Sequence, residues 1–227
     1  MDNKINIAID GYSGTGKSST AKDVASKLGY TYLDSGAMYR AITLYFLNNK
    51  VDWSIQKNVA RVLNDISITF SFNSESRRFE TCLNGEIVEE EIRGMSVSNK
   101  VSQVSAIKEV REQLVKIQRE LGKNKGVVMD GRDIGTVVFP SAELKVFMTA
   151  DTEVRAKRRQ KELKEKGVEV PLEEVISNLV DRDRVDTTRD ASPLIKADDA
   201  IEIDTTNLTF EEQVNQIVKL ARQTTSA

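Results

Sequence analysis

The stretch Gly11-Tyr12-Ser13-Gly14-Thr15-Gly16-Lys17-Ser18 reads G-x-x-x-x-G-K-S, the spacing of a loop that cradles phosphate groups. Glycines at 11, 14 and 16 permit turns closed to bulkier residues, so that successive backbone N–H groups aim at one point and form an anion nest. The helix that follows adds its positive end. Lys17 supplies a mobile charge for the outer phosphates, and the Ser18 hydroxyl is placed to hold a magnesium ion that bridges them. Gly11 through Ser18, with Ser19 beside them, are therefore the candidate nucleotide-phosphate residues. The competing reading is a chance glycine-rich turn. Context argues against it: Ile5, Ile7, Ala8 and Ile9 form the apolar run of a buried parallel strand. After the loop, Lys17–Leu28 predicts a helix with Ala21, Val24, Ala25 and Leu28 on one face.

The chain of 227 residues with 39% hydrophobic content is long enough to bury a substantial core. Its formal net charge of −2 argues against a general nucleic-acid field, so anion binding must come from local arginine clusters. Cys82 is the only cysteine, which excludes an intrachain disulfide and points to a reducing compartment. With no histidine anywhere, imidazole bases, histidine triads and histidine metal sites are excluded, and carboxylates, Lys and Arg carry the chemistry. No signal-type or membrane-length apolar run is present. The expected location is the cytoplasm.

Further along, Tyr30–Leu33 predicts a short strand and Ala37–Leu47 a helix, with Arg40 one turn inside it. That arginine suits either a second phosphate or plain solvent. Residues 64–92 alternate apolar and polar side chains, and Asn84-Gly85 marks a hairpin. A small antiparallel sheet inserted in an α/β frame is expected there, either a substrate-side flap or an inert decoration. Met95–Leu121 turns helical, with Ile107, Val110, Leu114, Ile117 and Leu121 as its core stripe and Ser102 and Arg111 off it. Gly126–Met129 and Leu144–Met148 read as buried strands. The first runs into Asp130, the candidate magnesium-organising carboxylate at the C-terminal edge of a parallel sheet. The segment 152–189 is dense in charge, and Gly167 and Pro171 split it into two helices. It is read either as a solvated, ion-paired helix pair or as a mobile lid. Ala200–Ile203 predicts a last strand, Phe210–Arg222 a last helix and Thr224–Ala227 a frayed end.

Three blocks carry a resemblance: Leu33-Asp34-Ser35-Gly36-Ala37-Met38-Tyr39-Arg40, Asp130-Gly131-Arg132-Asp133-Ile134-Gly135-Thr136-Val137-Val138-Phe139-Pro140 and Arg182-Asp183-Arg184-Val185-Asp186-Thr187-Thr188-Arg189. With the phosphate loop they resemble the bacterial cytidylate (CMP) kinases, in the nucleoside monophosphate kinase family, over about Ile5 to Ala221. The resemblance implies a single P-loop unit over 1–227, with a five-stranded parallel sheet flanked by helices. It also implies a monophosphate-binding insertion at 35–95 with a small antiparallel sheet, and a helical lid at 152–189. It implies ATP as phosphoryl donor with magnesium at Ser18 and Asp130, CMP or dCMP as acceptor, no nucleic-acid or membrane partner, and a monomer. Ser35, Arg40, Arg132 and Arg189 are similar to residues that hold CMP and its phosphate, Arg182 and Asp186 to the sugar-binding pair, and Ser102, Arg111 and Asp133 to the cytosine contacts. Arg155 would lie near the donor adenine, and Arg158 and Arg159 would join Lys17 and Arg132 in serving the transferring group. Tyr12 departs from the family, which usually has proline there, and this leaves the loop's rigidity open. Alternatives are a small-acceptor kinase of the same fold acting on UMP, AMP or a non-nucleotide acceptor, a nucleotide-gated switch, and an RNA-binding role for the arginine segment.

Overall fold

In the computed structural model, which describes residues 4–74, 78–165 and 167–226, strands and helices alternate. The amino-terminal part holds β1 (Asn6–Gly11), α1 (Lys17–Leu28), β2 (Thr31–Asp34), α2 (Ser35–Asn48) and α3 (Gln56–Leu63). Next come β3 (Ile68–Asn73), β4 (Arg78–Leu83), β5 (Glu86–Ile87) and three helices: α4 (Met95–Ser98), α5 (Val101–Ser105) and α6 (Lys108–Leu121). The rest comprises β6 (Val127–Gly131), β7 (Leu144–Thr149), α7 (Thr152–Glu165), α8 (Leu172–Thr188), β8 (Ile201–Asp204) and α9 (Phe210–Thr225).

Five strands form one sheet in the order β2-β6-β1-β7-β8. β1 pairs in parallel with β6 and β7, placing Ile9 opposite Asp130 and Gly11 opposite Met148. Parallel strands covered by helices on both faces need apolar side chains on both, and every residue of β1 is buried. Ile7, Ile9, Val128, Val146 and Met148 pack with Ala21 and Val24 of α1 and with Val214 and Ile217 of α9. Each fully buried side chain of this size stabilises by about 1.5–3 kcal/mol. The helix ends are specified locally: Gly29 closes α1 in the left-handed conformation, and Thr209 and Glu212 form a reciprocal capping box at the start of α9.

The chain divides into two compact units, one formed by the segments up to Tyr32 and from Gly122 onward, the other by Leu33–Leu121. The second has its own core, in which Met38, Ile42 and Phe46 of α2 pack with Val59, Leu63, Ile68 and Leu114. Its antiparallel sheet has the order β3-β4-β5.

Four expectations change. The helical stretch 95–121 is three helices, because the backbone turns at Asn99-Lys100 and again at Ala106-Ile107. Leu121 is exposed at the end of α6 and leaves the stripe, whereas Arg111 is buried. Along β3 and β4 burial fades toward the hairpin tip: Ile68 is buried, but Phe72 and Phe79 are exposed and cover each other, with ring centroids 5.3 Å apart. The last helix continues to Thr225, and the Ser226 N–H bonds to the Gln223 carbonyl. Residues 75–77 of the expected small sheet, residue 166 of the expected lid and residue 227 of the expected terminus lie outside the described residues.

Candidate active site

The phosphate loop leaves β1 at Gly11, where the strand lies so close to β7 that a Cβ would come 2.1 Å from the Met148 carbonyl oxygen. Only glycine fits. The loop is braced from within: the Thr15 hydroxyl donates to the Tyr12 carbonyl at 3.0 Å, and Thr205 donates to the Thr15 carbonyl at 3.1 Å. Lys17 opens α1 and is buried, its Nζ donating to the Tyr12 carbonyl at 2.7 Å. Burial, then the nearby Arg132 cation, push the Lys17 ammonium down to about 7 against the pull of Asp130 and Asp186. A cation disfavoured in this way gains from an incoming polyphosphate.

Asp130, near the end of β6, is buried and held at both oxygens: Ser18 donates its hydroxyl to Oδ2 at 2.6 Å and Tyr32 donates to Oδ1 at 2.8 Å. A hydroxyl and an oriented carboxylate are hard oxygen ligands, and magnesium takes such groups sparingly, filling its octahedron with phosphate oxygens and water. The pair fits that ion bound together with a nucleotide. Among the described residues no cluster of three acidic, cysteine or histidine ligands exists, so an ion here would lean on the phosphates.

Beyond β6 the chain forms a single π-helical turn, Ile134–Val138. Its start is anchored by Asp10, a buried carboxylate at the end of β1, which accepts from the Ile134 N–H at 2.8 Å and the Gly135 N–H at 2.7 Å. Burial pushes the Asp10 carboxyl up to about 7 against those two donors. Just before the turn, Arg132 donates through Nε to Asp186 at 2.7 Å, and through its second terminal nitrogen to the Ser13 hydroxyl at 3.2 Å. Burial works against the Arg132 cation, but Asp186, together with Asp130 and Asp183 farther off, holds it above its ordinary value. Arg189 reaches Asp186 at 3.4 Å and Asp133 at 3.9 Å, with its own side chain and that of Asp133 both buried. The structure thus brings Arg132, Asp133, Asp186 and Arg189 into one cluster in the unit that holds the loop, and Arg182 lies close enough to influence both Lys17 and Asp186.

On α7, Arg155 is buried and donates to four protein groups, while Arg158 donates to the Thr15 carbonyl and to Thr205. Arg159 pairs with Glu162 on its own helix, and Ser19 is exposed on the first turn of α1.

In the second unit, Ser35 is buried at the start of α2, and Asp34 before it accepts the Ala37 N–H at 2.9 Å. Arg40 donates to the same carboxylate at 2.8 Å, as does Arg93 at 3.4 Å. Burial alone would raise Asp34, but Arg40 and Arg93 hold it below the usual carboxylate range. Arg111 lies over the Tyr39 ring, 5.1 Å from its centroid, and donates to the Ser105 carbonyl, while the Ser105 hydroxyl donates to the carbonyl of Ser102. Ser102 and Arg111 are thus linked through one residue.

Asp10, Asp34, Arg93 and Tyr32 are absent from the candidates drawn from the sequence. Asp10 had a signal, since a carboxylate directly follows the apolar run Ile5–Ile9 and needs a partner if it is buried. Arg93 had none, because its partner Asp34 is distant in the chain.

A parallel sheet whose first strand feeds a phosphate loop, with a carboxylate near the end of the adjacent strand, defines the P-loop class of nucleotide-binding proteins. Among solved structures, a gluconokinase from Sinorhizobium meliloti aligns with a TM-score of 0.50 at 14% identity, covering 100% of this chain and 96% of its own. An uncharacterized protein from Eubacterium ventriosum aligns at 0.52 with 13% identity, covering 97% and 99%. These likenesses concern the fold alone. The family model described as cytidylate kinase matches residues 7–223. A cytidylate kinase of Cytophaga hutchinsonii is 56% identical, covering 96% of this chain and 93% of its own. A cytidylate kinase of Flavobacterium johnsoniae is 52% identical, covering 96% and 99%. The chain belongs to the cytidylate kinase family and is a nucleoside monophosphate kinase.

Proposed function

We propose that the chain transfers the γ-phosphoryl group of ATP to CMP, and to dCMP, giving ADP and CDP or dCDP. The observation that carries this reading is Asp133, a buried carboxylate beside the Arg189 cation in a chain of this family. Cytosine carries an amino donor at C4 where uracil carries a carbonyl acceptor, so a carboxylate directed there attracts one base and repels the other.

An oxygen of the CMP phosphate attacks the γ-phosphorus, that P–O bond forms, and the bond to the β–γ bridging oxygen breaks, leaving ADP. The acceptor is already an anion, so no strong base is required, in keeping with a chain that lacks histidine. The barrier is electrostatic: charged reactants must be joined, and negative charge spread over the transferring group must be matched. Loop N–H groups and Lys17 hold the triphosphate. Arg132 and Arg158, both already bonded to loop residues, and Arg159 on α7 serve the transferring group. Magnesium, when bound with ATP, would be held by Ser18 and Asp130 and would neutralise charge on the outer phosphates.

For the acceptor, Ser35, Arg40, Arg132 and Arg189 are assigned to the phosphate, Arg182 and Asp186 to the sugar, and Ser102, Arg111 and Asp133 to the base. Helices α7 and α8 act as a lid that excludes water, which would otherwise divert ATP to hydrolysis. The working unit is taken as one chain in the cytoplasm. Incubation with ATP, magnesium and CMP, followed by chromatographic separation of nucleotides, tests the reading: CDP and ADP are expected in equal amounts. ADP without CDP would contradict it.

A further inference from the structure

Arg155 is the candidate residue whose surroundings fit its expected role least. Its guanidinium is buried, and four of its five N–H donors go to the protein: Nε to the Ala150 carbonyl at 3.0 Å, one terminal nitrogen to the Ser13 carbonyl at 3.1 Å and Asp183 at 2.6 Å, and the other to the Thr152 hydroxyl at 3.0 Å. Its flat face lies over the Tyr12 ring, 5.4 Å from the centroid, and that ring meets Phe147 edge-on at 5.8 Å. Gly14 makes the approach possible, since a Cβ there would come 3.1 Å from the Arg155 Cβ.

These contacts join three parts of one unit: the phosphate loop through Tyr12 and Ser13, α7 through Arg155 itself, and α8 through Asp183. Tyr12 matters twice. Its ring supports Arg155, while its carbonyl accepts both Lys17 and Thr15. The ring that supports Arg155 and the carbonyl on which Lys17 rests thus belong to one residue. A planar fork with four distinct partners and a stacked face is held far more rigidly than a lysine would be.

We infer that Arg155 is a positioning residue for the phosphate loop: through Tyr12 and Ser13 it fixes the loop's shape, and through Asp183 it ties that shape to α8. It is a strut between lid and loop. The inference rests on the loop's being the donor phosphate site. One consequence is specific: a side chain on α8 sets how tightly the loop holds phosphate, whatever base the phosphate carries.

The test is calorimetric titration of the full chain, with magnesium, by ADP and separately by inorganic triphosphate, which has no base. Wild type, Tyr12→Leu, Asp183→Asn and the double variant are compared. Asp183→Asn is expected to weaken both ligands equally, by about tenfold, as for loss of a charge-assisted hydrogen bond. Tyr12→Leu is expected to weaken both by about threefold, the size of a lost cation–π contact, and Tyr12→Phe, which keeps the ring, loses less. Because both changes break one strut, the double variant should be weakened by about tenfold, whereas independent sites would multiply to about thirtyfold. Irreversibly unfolded chain lowers only the binding stoichiometry, and a reversible loss of folded fraction, which would weaken both ligands alike, is measured separately from the thermal unfolding curve of each variant at the titration temperature. A loss confined to ADP, an Asp183→Asn variant that binds like wild type, or a multiplicative double variant would each overturn the strut. A wild type that binds neither ligand overturns the donor-site reading and the strut together.

Discussion

Lys17 in one unit and Arg40 in the other are both cations beside a helix start, and they are kept in opposite ways. Arg40 rests on a carboxylate: Asp34 accepts from it at 2.8 Å, is shared with Arg93 and is held below the ordinary carboxylate range by the two. Lys17 rests on a neutral carbonyl, and burial with the Arg132 charge brings its ammonium down to about 7. One charge is paired with a carboxylate at bonding distance, and the other feels Asp130 and Asp186 only from farther off. A phosphate at Arg40 would join a guanidinium whose charge Asp34 already offsets through one nitrogen, so it gains less there than at a cation with no anion at bonding distance. Adding polyphosphate at Lys17 supplies an anion where the fold provides none nearby at bonding distance. The loop is therefore built to gain most from its ligand, and the α2 site is built to hold its arginine in place for one.

The contrast can be broken at either end. Lys17→Ala should cost the most: turnover in an ADP-release assay is expected to fall by about a hundredfold to a thousandfold, as when a preorganised electrostatic group is removed from a reacting centre. Near-normal turnover would mean that the loop amides suffice alone. Arg40→Ala is expected to act on the acceptor side, raising KM for CMP by about tenfold while KM for ATP moves little, in line with loss of one charge-assisted pair. Equal changes in both constants would remove the distinction between the two cations.

A smaller effect should appear in stability. Asp10 ionises near 3.8 when unfolded, but burial raises it to about 7 in the fold. Its contribution is therefore greatest at low pH and is lost as pH rises through about 7. Asp10→Asn removes that dependence, although an amide nitrogen now faces one of the two N–H donors. The Tm difference between wild type and Asp10→Asn should favour wild type most near pH 4.5 and shrink by several degrees toward pH 8. A difference that widens with pH would show that the carboxylate is ionised throughout.

How far the molecule can be read from its sequence depends on how local each cause is. The helix Lys17–Leu28 is found with its observed ends, because a glycine loop precedes it, Gly29 follows it and its apolar spacing is regular. The antiparallel strands likewise follow from alternation and an Asn-Gly turn. The stretch 95–121 misleads because a continuous helical period survives across two backbone turns. Arg111 reads as solvent-facing by period alone, yet Tyr39 gives its guanidinium a ring to lie on. In the loop unit the chemistry-bearing residue types are legible, but their partners are not. Asp10 meets the N–H groups of residues more than a hundred positions away, and Arg155 meets both Ser13 and Asp183. Long-range polar pairing leaves no periodic trace, so a side chain offered by its type as a ligand contact can instead be part of the frame.

The central claim is that a carboxylate at position 133 selects cytosine. The most direct measurement is competition in one vessel: equimolar CMP and UMP with limiting ATP and magnesium, products separated and counted, for wild type and Asp133→Ala. Wild type is expected to form CDP almost exclusively, and the variant to lose most of that preference, by about tenfold or more, as when a hydrogen-bonding group that discriminates two substrates is removed. A wild type that phosphorylates UMP as readily as CMP, or a variant whose product ratio is unchanged, would contradict the account.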